Sequence, residues 1–388
     1  MSNICRFALI LLTGFSSLFS NAETADSLFV ADDEISRTND NIFKKVIRYF
    51  DNSNEPKPEK NLDFSFIAGP AYSSETSLQI GIVGAALYKS RPDVPLTSQS
   101  NASLLIKASI TGYYSVGLRG SHFGPSDKYR IVYDFDFSSF PGYFWGIGYD
   151  AAIQNENKTK FLQLSAALES SFEWSLARNL YLGPAVSFKY VQAKKADNWA
   201  LWDDEAASIA AFGPGINLIY DSRDNINNAR SGWLAAVQQR FFARFLGNDY
   251  AFGSTEVQLA GYGKVWKGGI IAGKIHGRFT YGNTPWTMLP TFGGSHSMRG
   301  YYEGRFRDKN ETDLTLELRQ QVWRRNSVVA WIGAGTVFRS FRELRKREIL
   351  PNFGVGYRWE FKNRVNLRLD LGFGRDDFGL VFNVNEAF

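Results

Sequence analysis

The sequence predicts an all-β fold, a 16-stranded antiparallel transmembrane β-barrel with a long extracellular loop. Three observations point to it. Apolar and polar residues alternate from Leu62 to the end, in segments long enough to cross a bilayer as tilted strands. Aromatic residues make up 15% of the chain and glycines number 35, yet mean hydropathy is slightly negative. That combination suits strands of which only alternate residues meet lipid. No stretch after Phe19 approaches the apolar length of a membrane-spanning helix.

The N-terminus sets the compartment. Arg6 precedes an apolar run, Phe7 to Phe19, that is too short to span a bilayer as a helix, and Ser20-Asn21-Ala22 offers a small-residue cleavage site. Residues 1–22 are therefore expected to be a signal peptide, with the mature chain beginning near Glu23. Cys5, the one cysteine, lies in that stretch, so neither a disulfide nor a thiolate metal site is expected in the mature chain. A net charge of +5 on 388 residues does not point to nucleic acid.

Residues 23–61 read as a periplasmic N-terminal segment. Pro56-Lys57-Pro58 suits an extended linker. Ile42, Phe43, Val46, Ile47 and Phe50 fall on one helical face, which predicts a short helix over 41–51 with Asp40 or Asn41 as its cap. Such a helix either lies in the interface, plugs the lumen, or frays as a tether at the barrel mouth.

Residues 62–388 form the expected barrel. The predicted strands are 62–70, 77–89, 102–111, 113–123, 129–138, 160–176, 180–192, 211–223, 232–246, 254–266, 269–282, 312–324, 327–339, 351–361, 364–374 and 378–388. In the sixth, Leu162, Leu164, Ala166, Leu168, Phe172 and Trp174 share one face, while Gln163, Ser165, Glu169, Ser171 and Glu173 share the other. Ionised groups on an inner face would disrupt a dry core but suit a wet lumen. In the ninth, Trp233, Ala235, Val237, Phe241, Ala243 and Phe245 should meet lipid, with Gln238, Arg240 and Arg244 inside. The last should carry Phe378, Leu380, Phe382, Val384 and Phe388 on one face and pair with the first. Short connections fall on one side and long ones, such as 283–311, on the other, the periplasmic and extracellular sides of such a barrel.

The longest loop contains Gly293-Gly294-Ser295-His296-Ser297-Met298-Arg299-Gly300-Tyr301, followed by Gly304-Arg305-Phe306-Arg307-Asp308. Tyr220-Asp221-Ser222-Arg223-Asp224-Asn225 precedes the ninth strand, Gly354-Val355-Gly356-Tyr357-Arg358-Trp359 lies in the fourteenth, and the chain ends in Phe388. These segments resemble the BamA/TamA family of outer-membrane assembly and transport barrels, the bacterial surface antigens, over roughly residues 62–388. The resemblance implies that this long extracellular loop is inward-folding, that Met298, Arg299, Gly300 and Tyr301 form its tip inside the barrel, and that Arg299 pairs with carboxylates on the C-terminal strands. It also implies a turn motif at Asp221, Arg223 and Asp224, and a terminal β-signal at Phe388. A short member lacking the family's POTRA modules is expected.

Two positions depart from the family pattern. Trp331-Ile332-Gly333-Ala334-Gly335 lacks the acid usual in that strand, and Glu386 stands where the β-signal prefers an apolar residue. With Gly333 in the acid's place, alternation leaves Asp370 and Glu317 as the nearest inward carboxylates for Arg299.

No cofactor, metal or catalytic site is expected. His122, His276 and His296 show no ligand spacing, and His276 reads as a lumen side chain beside Lys274 and Arg278. The mature sequence holds no Gly-x-Ser-x-Gly, Asp203-Asp204-Glu205 reads as a solvated loop, and glycine pairs such as Gly213-x-Gly215 lie in strands rather than phosphate loops. The expected function is insertion or transport of proteins or lipids at the outer membrane. Expected partners are outer-membrane lipid and lipopolysaccharide, and a polypeptide client or periplasmic partner. A structural barrel serving a separate envelope complex, or a lipase-type enzyme, are the alternatives.

Overall fold

The computed structural model describes residues 62–73, 77–90, 98–202, 205–362 and 364–388. The expected signal peptide, the 23–61 segment with its helix 41–51, and Asp203 and Asp204 lie outside the described residues. The strands are β1 (Leu62–Ser73), β2 (Ser77–Tyr88), β3 (Ser100–Ser109), β4 (Tyr114–Phe123), β5 (Tyr129–Phe144), β6 (Thr159–Ala177), β7 (Leu180–Lys194), β8 (Ser208–Asp221), β9 (Gly232–Phe242), β10 (Phe252–Trp266), β11 (Gly269–Gly282), β12 (Asn310–Trp323), β13 (Asn326–Phe338), β14 (Leu350–Lys362), β15 (Val365–Gly374) and β16 (Asp377–Val384). They form one antiparallel sheet paired in chain order from β1 to β16. β1 lies beside β16, and among the described residues no hydrogen-bonded ladder joins the two.

Alternation sets the two faces as the sequence predicts. Phe64, Ile80, Leu168, Val237, Leu316 and Val355 are exposed around the sheet, a continuous apolar surface of the kind that faces lipid. Arg130, Glu173, Arg240, Glu317, Arg368 and Asp370 are buried on the other face. Exposed Trp174, Trp233, Trp266 and Trp323 gather at the end that carries the short turns 178–179, 267–268 and 324–325. An indole has an apolar body and a polar N–H, so such a girdle marks the membrane–water boundary.

Two strands end earlier than alternation predicts. β9 stops at Phe242 because the Asn248 side chain takes the place of a pairing strand: its Oδ1 accepts the Phe212 N–H at 2.7 Å and its Nδ2 donates to Phe212 O at 2.8 Å. Ala243, Arg244 and Phe245 therefore lie in a turn, and Arg244 is exposed rather than in the lumen. β16 stops at Val384 because Asn385 takes a left-handed backbone, φ 66°, which asparagine tolerates better than most residues. That twist reverses the alternation beyond it. Glu386, which an unbroken strand would aim at lipid, is buried inside, and Phe388 leaves the face of Phe378 to approach Tyr262 of β10, ring centres 6.2 Å apart.

Candidate functional site

The loop 283–309 joins β11 to β12 and lays its tip against the inner face of β12–β15. Gly300 permits this with φ 114°. A Cβ on Gly300 would stand 2.5 Å from the Gly372 carbonyl carbon, and one on Gly372 would stand 2.2 Å from the Arg299 carbonyl oxygen. Gly374 leaves room for the Tyr301 ring and Gly335 for the Met298 side chain in the same way. Glycines on two strands thus form the seat of the tip. Met298 and Tyr301 then pack with Phe292, Phe306, Val337 and Leu350 in a small apolar core. The Tyr301 hydroxyl donates to Pro351 O and accepts from the Arg375 N–H, both at 2.7 Å.

Arg299 is buried at the centre. Its Nη1 donates to Asp370 Oδ2 at 2.7 Å and its Nη2 to Glu317 Oε2 at 2.5 Å. The guanidinium lies 3.7 Å from the centre of the Trp331 ring, and the Trp331 N–H donates to Asn352, which in turn donates to the Arg299 carbonyl. Stacking on one plane and charged bonds along the edges fix a guanidinium in position and register. Glu317 sits opposite Trp331 in the β12–β13 ladder, so the acid absent from β13 is supplied one strand away.

The network continues to the chain terminus. Asp370 also accepts from Arg358, and Arg358 Nε donates to Glu386 Oε2 at 2.8 Å. Arg319 Nε donates to the second oxygen of Glu317 at 2.7 Å, and Arg319 Nη2 to Phe388 O at 3.2 Å. Arg368 Nη2 reaches the loop at Ser295 O, 2.8 Å away. Alternation turns Arg319, Arg358 and Arg368 inward, and Arg358 stands in the β14 motif from Gly354 to Trp359, but the sequence did not assign any of the three to the latch. Glu386 could not be found that way, because Asn385 breaks the alternation just before it.

The turn motif supports the same network from the short-turn end. Arg223 donates to both oxygens of Asp221, at 2.9 and 2.8 Å. Asp224 Oδ1 accepts the Arg230 N–H at 2.8 Å and the Ser231 N–H at 3.2 Å, and its other oxygen accepts from Arg364 of the β14–β15 connection. Partial burial raises the Asp224 carboxyl, but the Arg230 N–H, the Arg364 guanidinium and the Ser231 N–H outweigh it and hold it below the usual carboxylate range. The turn also offers Asn227 O to the Glu386 N–H at 3.2 Å and Ala229 O to Arg319 at 3.3 Å. Loop, turn and tail therefore meet on the inner face of β12–β15. Phe388, expected on the lipid face, packs instead at the edge of a cluster with Tyr262, Ala260 and Ala272.

Residues 101–383 match the Omp85 superfamily domain. Among solved structures, the chain is similar to BamA from Haemophilus ducreyi lacking POTRA domains 1–3, with TM-score 0.55 and 12% identity over 84% of this chain and 70% of that one. It is similar to CdiB from Escherichia coli (TM-score 0.54, 12% identity, 85% of this chain and 64% of that one) and to CdiB from Acinetobacter baumannii (0.53, 11%, 84% and 60%). The chain thus spans less than two thirds of either CdiB chain. At these identities the likeness is one of fold. No curated protein matches the chain in sequence.

Proposed function

The chain belongs to the Omp85 superfamily and is a Gram-negative outer-membrane protein, and from that premise we propose that it assists the insertion or translocation of polypeptides or lipids at that membrane, without enzymatic chemistry. In this reading the sixteen strands close as a barrel, with β1 against β16 as the seam. Closure is favoured because an open sheet edge in lipid leaves backbone groups unpaired. A seam with few hydrogen bonds is also the cheapest place to open.

One observation carries the proposal: the chain of charged contacts from Arg299 through Asp370 and Arg358 to Glu386 couples the loop tip to the tail of the seam strand. Among the described residues β16 pairs with β15 on one side only. Displacing the tip takes Arg299 from Asp370, the acid that also holds Arg358, and so loosens the network in which Arg358 holds Glu386 beside the end of β16. Outer-membrane lipid and lipopolysaccharide are the proposed surroundings of the apolar band, and a polypeptide client or periplasmic partner is proposed at the short-turn end.

The test is made in proteoliposomes. The full chain should accelerate insertion of an unfolded outer-membrane barrel protein over empty vesicles, and a disulfide between β1 and β16 should abolish the acceleration until reduced. Equal rates with and without the protein would defeat the proposal.

A further inference from the structure

Inside the wall formed by β10, β11 and β12, four side chains converge that the loop latch does not use. His276 of β11 faces Asp313 of β12 directly in the ladder, with Glu311 two residues along on the same inner face. The His276 Nδ1 lies 3.1 Å from Asp313 Oδ2 and 3.5 Å from Glu311 Oε2. Its Nε2 lies 3.2 Å from Glu256 Oε1 of β10. Glu311 and Asp313 are buried, and among the described residues Glu311 Oε1 is a buried oxygen with no hydrogen-bond partner.

We propose that His276 Nδ1, Asp313 Oδ2 and Glu311 Oε2 bind a divalent transition cation of the Zn2+ class, with Glu256 as the positioning residue behind the histidine. Metal–ligand distances of about 2.0–2.2 Å in a tetrahedral site place donor atoms about 3.3–3.6 Å apart. The histidine nitrogen stands 3.5 Å from Glu311 Oε2 and 3.1 Å from Asp313 Oδ2, so a metal needs the second contact to open by a few tenths of an ångström, and the three ligand atoms lie within 4.8 Å of one another. The tautomer fits. A carboxylate on Nε2 holds the proton there and leaves the Nδ1 lone pair directed at the two acids, the arrangement by which outer carboxylates orient metal-bound histidines.

The charges that face the site come from three strands. Glu256, Glu311 and Asp313 are acidic, Lys274 sits 3.0 Å from Asp313 Oδ1, and Arg278 is in register with Glu256 and Glu311. Arg240 approaches from a fourth strand, β9, but its charge is met by Glu169, 3.5 Å away. Lys274 occupies the Asp313 oxygen that does not face His276, so Oδ2 remains for a metal. Three carboxylates against Lys274 and Arg278 leave one negative charge in want of a cation. A proton on Nδ1 satisfies that charge but can be donated to only one of the two buried acids. A dication engages both. Imidazole with two carboxylates also selects against Mg2+ and Ca2+, which take oxygen ligands.

The location gives the site a consequence. Lys274 Nζ also donates to the loop at His296 O, 3.4 Å away, so a cation here braces the wall beside the latch.

The experiment uses the full chain purified in detergent, stripped with chelator and titrated with Zn2+ by calorimetry, with metal content read independently by mass spectrometry. The expected result is one Zn2+ per chain and a raised unfolding temperature. Both effects should be lost in His276→Gln and in Asp313→Asn and kept in His122→Gln. Glu256→Gln should retain the stoichiometry with affinity lowered about 10–100-fold. Heat-modifiable migration shows which variants are folded, and Glu311→Gln serves if Asp313→Asn is not. No stoichiometric binding by the folded wild type, with the His276 ring found as an imidazolium by NMR, would overturn the proposal, as would Zn2+ binding that survives in His276→Gln.

Discussion

Two arginine–carboxylate pairs on the inner face show how differently the two halves of the sheet are built. Arg119 of β4 meets Asp134 of β5 at 3.1 Å with their side chains 51% and 46% exposed, whereas Arg299 meets Asp370 of β15 at 2.7 Å with theirs 2% and 0% exposed. The residue types are the same, and alternation turns Arg119, Asp134 and Asp370 inward alike, whereas Arg299 is carried in by its loop. What differs is the loop packed over the second pair. An exposed pair is screened and contributes little, while a buried one is costly to break because the survivor keeps its charge without a partner. Glycines divide the same way: a Cβ on Gly81 of β2 would find its nearest neighbour 3.8 Å away, but one on Gly372 would strike the loop backbone at 2.2 Å.

The largest expected effect separates the two pairs. Arg299→Ala should destabilise the folded barrel by about 3 kcal/mol, because Asp370 and Glu317 each lose a charged hydrogen bond although Arg358 and Arg319 still face them, while Arg119→Ala should cost less than about 1 kcal/mol. Urea unfolding in lipid vesicles, followed by tryptophan fluorescence, measures both. Equal losses would break the comparison. The double variant Arg299→Ala/Asp370→Ala should lose less than the sum of its singles, and strict additivity would remove the case for a pair.

Glycine substitution comes next. Gly372→Ala should cost about 1–3 kcal/mol by overpacking and should expose the 283–309 loop to protease, with the sheet retained by circular dichroism. Gly81→Ala should change stability by no more than about 0.5 kcal/mol. A Gly372→Ala protein with a protected loop would mean that the tip is not seated on β15.

A smaller effect is expected at the tail. Glu386→Gln weakens the bonds to Arg358 by about 1–2 kcal/mol and should speed carboxypeptidase removal of Phe388. Immediate removal from the wild type would show that the tail is not tucked inside.

The smallest effect is set by pH. The Asp224 carboxyl is held below its ordinary value in the folded protein, so its contribution is complete above the unfolded value and fades as pH falls through the folded one. Acidification from about pH 5 to 2 should therefore loosen the 222–231 turn, seen as faster amide exchange at Arg230 and Ser231. Asp224→Asn should remove that pH dependence, and an unchanged acid response in the variant would assign it to other groups.

The latch was largely legible in the sequence because two regularities overlap there. Period-two alternation turns Glu317 and Asp370 inward, and the resemblance of the Arg299-Gly300 tip to the BamA/TamA loop motif implies that it folds inside. The ends of β9 and β16 were not legible, since each depends on a side chain or residue that interrupts the period: Asn248 reaching across to Phe212, and Asn385 turning left-handed.

The sequence alone determined the antiparallel strand order, the lipid and lumen faces, and which acids point inward, because alternation is a local property and survives without knowledge of any neighbour; that Arg299 meets those acids was implied by the family resemblance. The tertiary structure decided which inward charges are buried, why Gly372 and Gly374 must be glycines, and that Glu386 and Phe388 turn inside. It also brought His276, Glu311 and Asp313 together, and each of these outcomes depends on a contact between strands or loops distant in the chain, where burial, and not residue type, fixes what a charge or a missing side chain is worth.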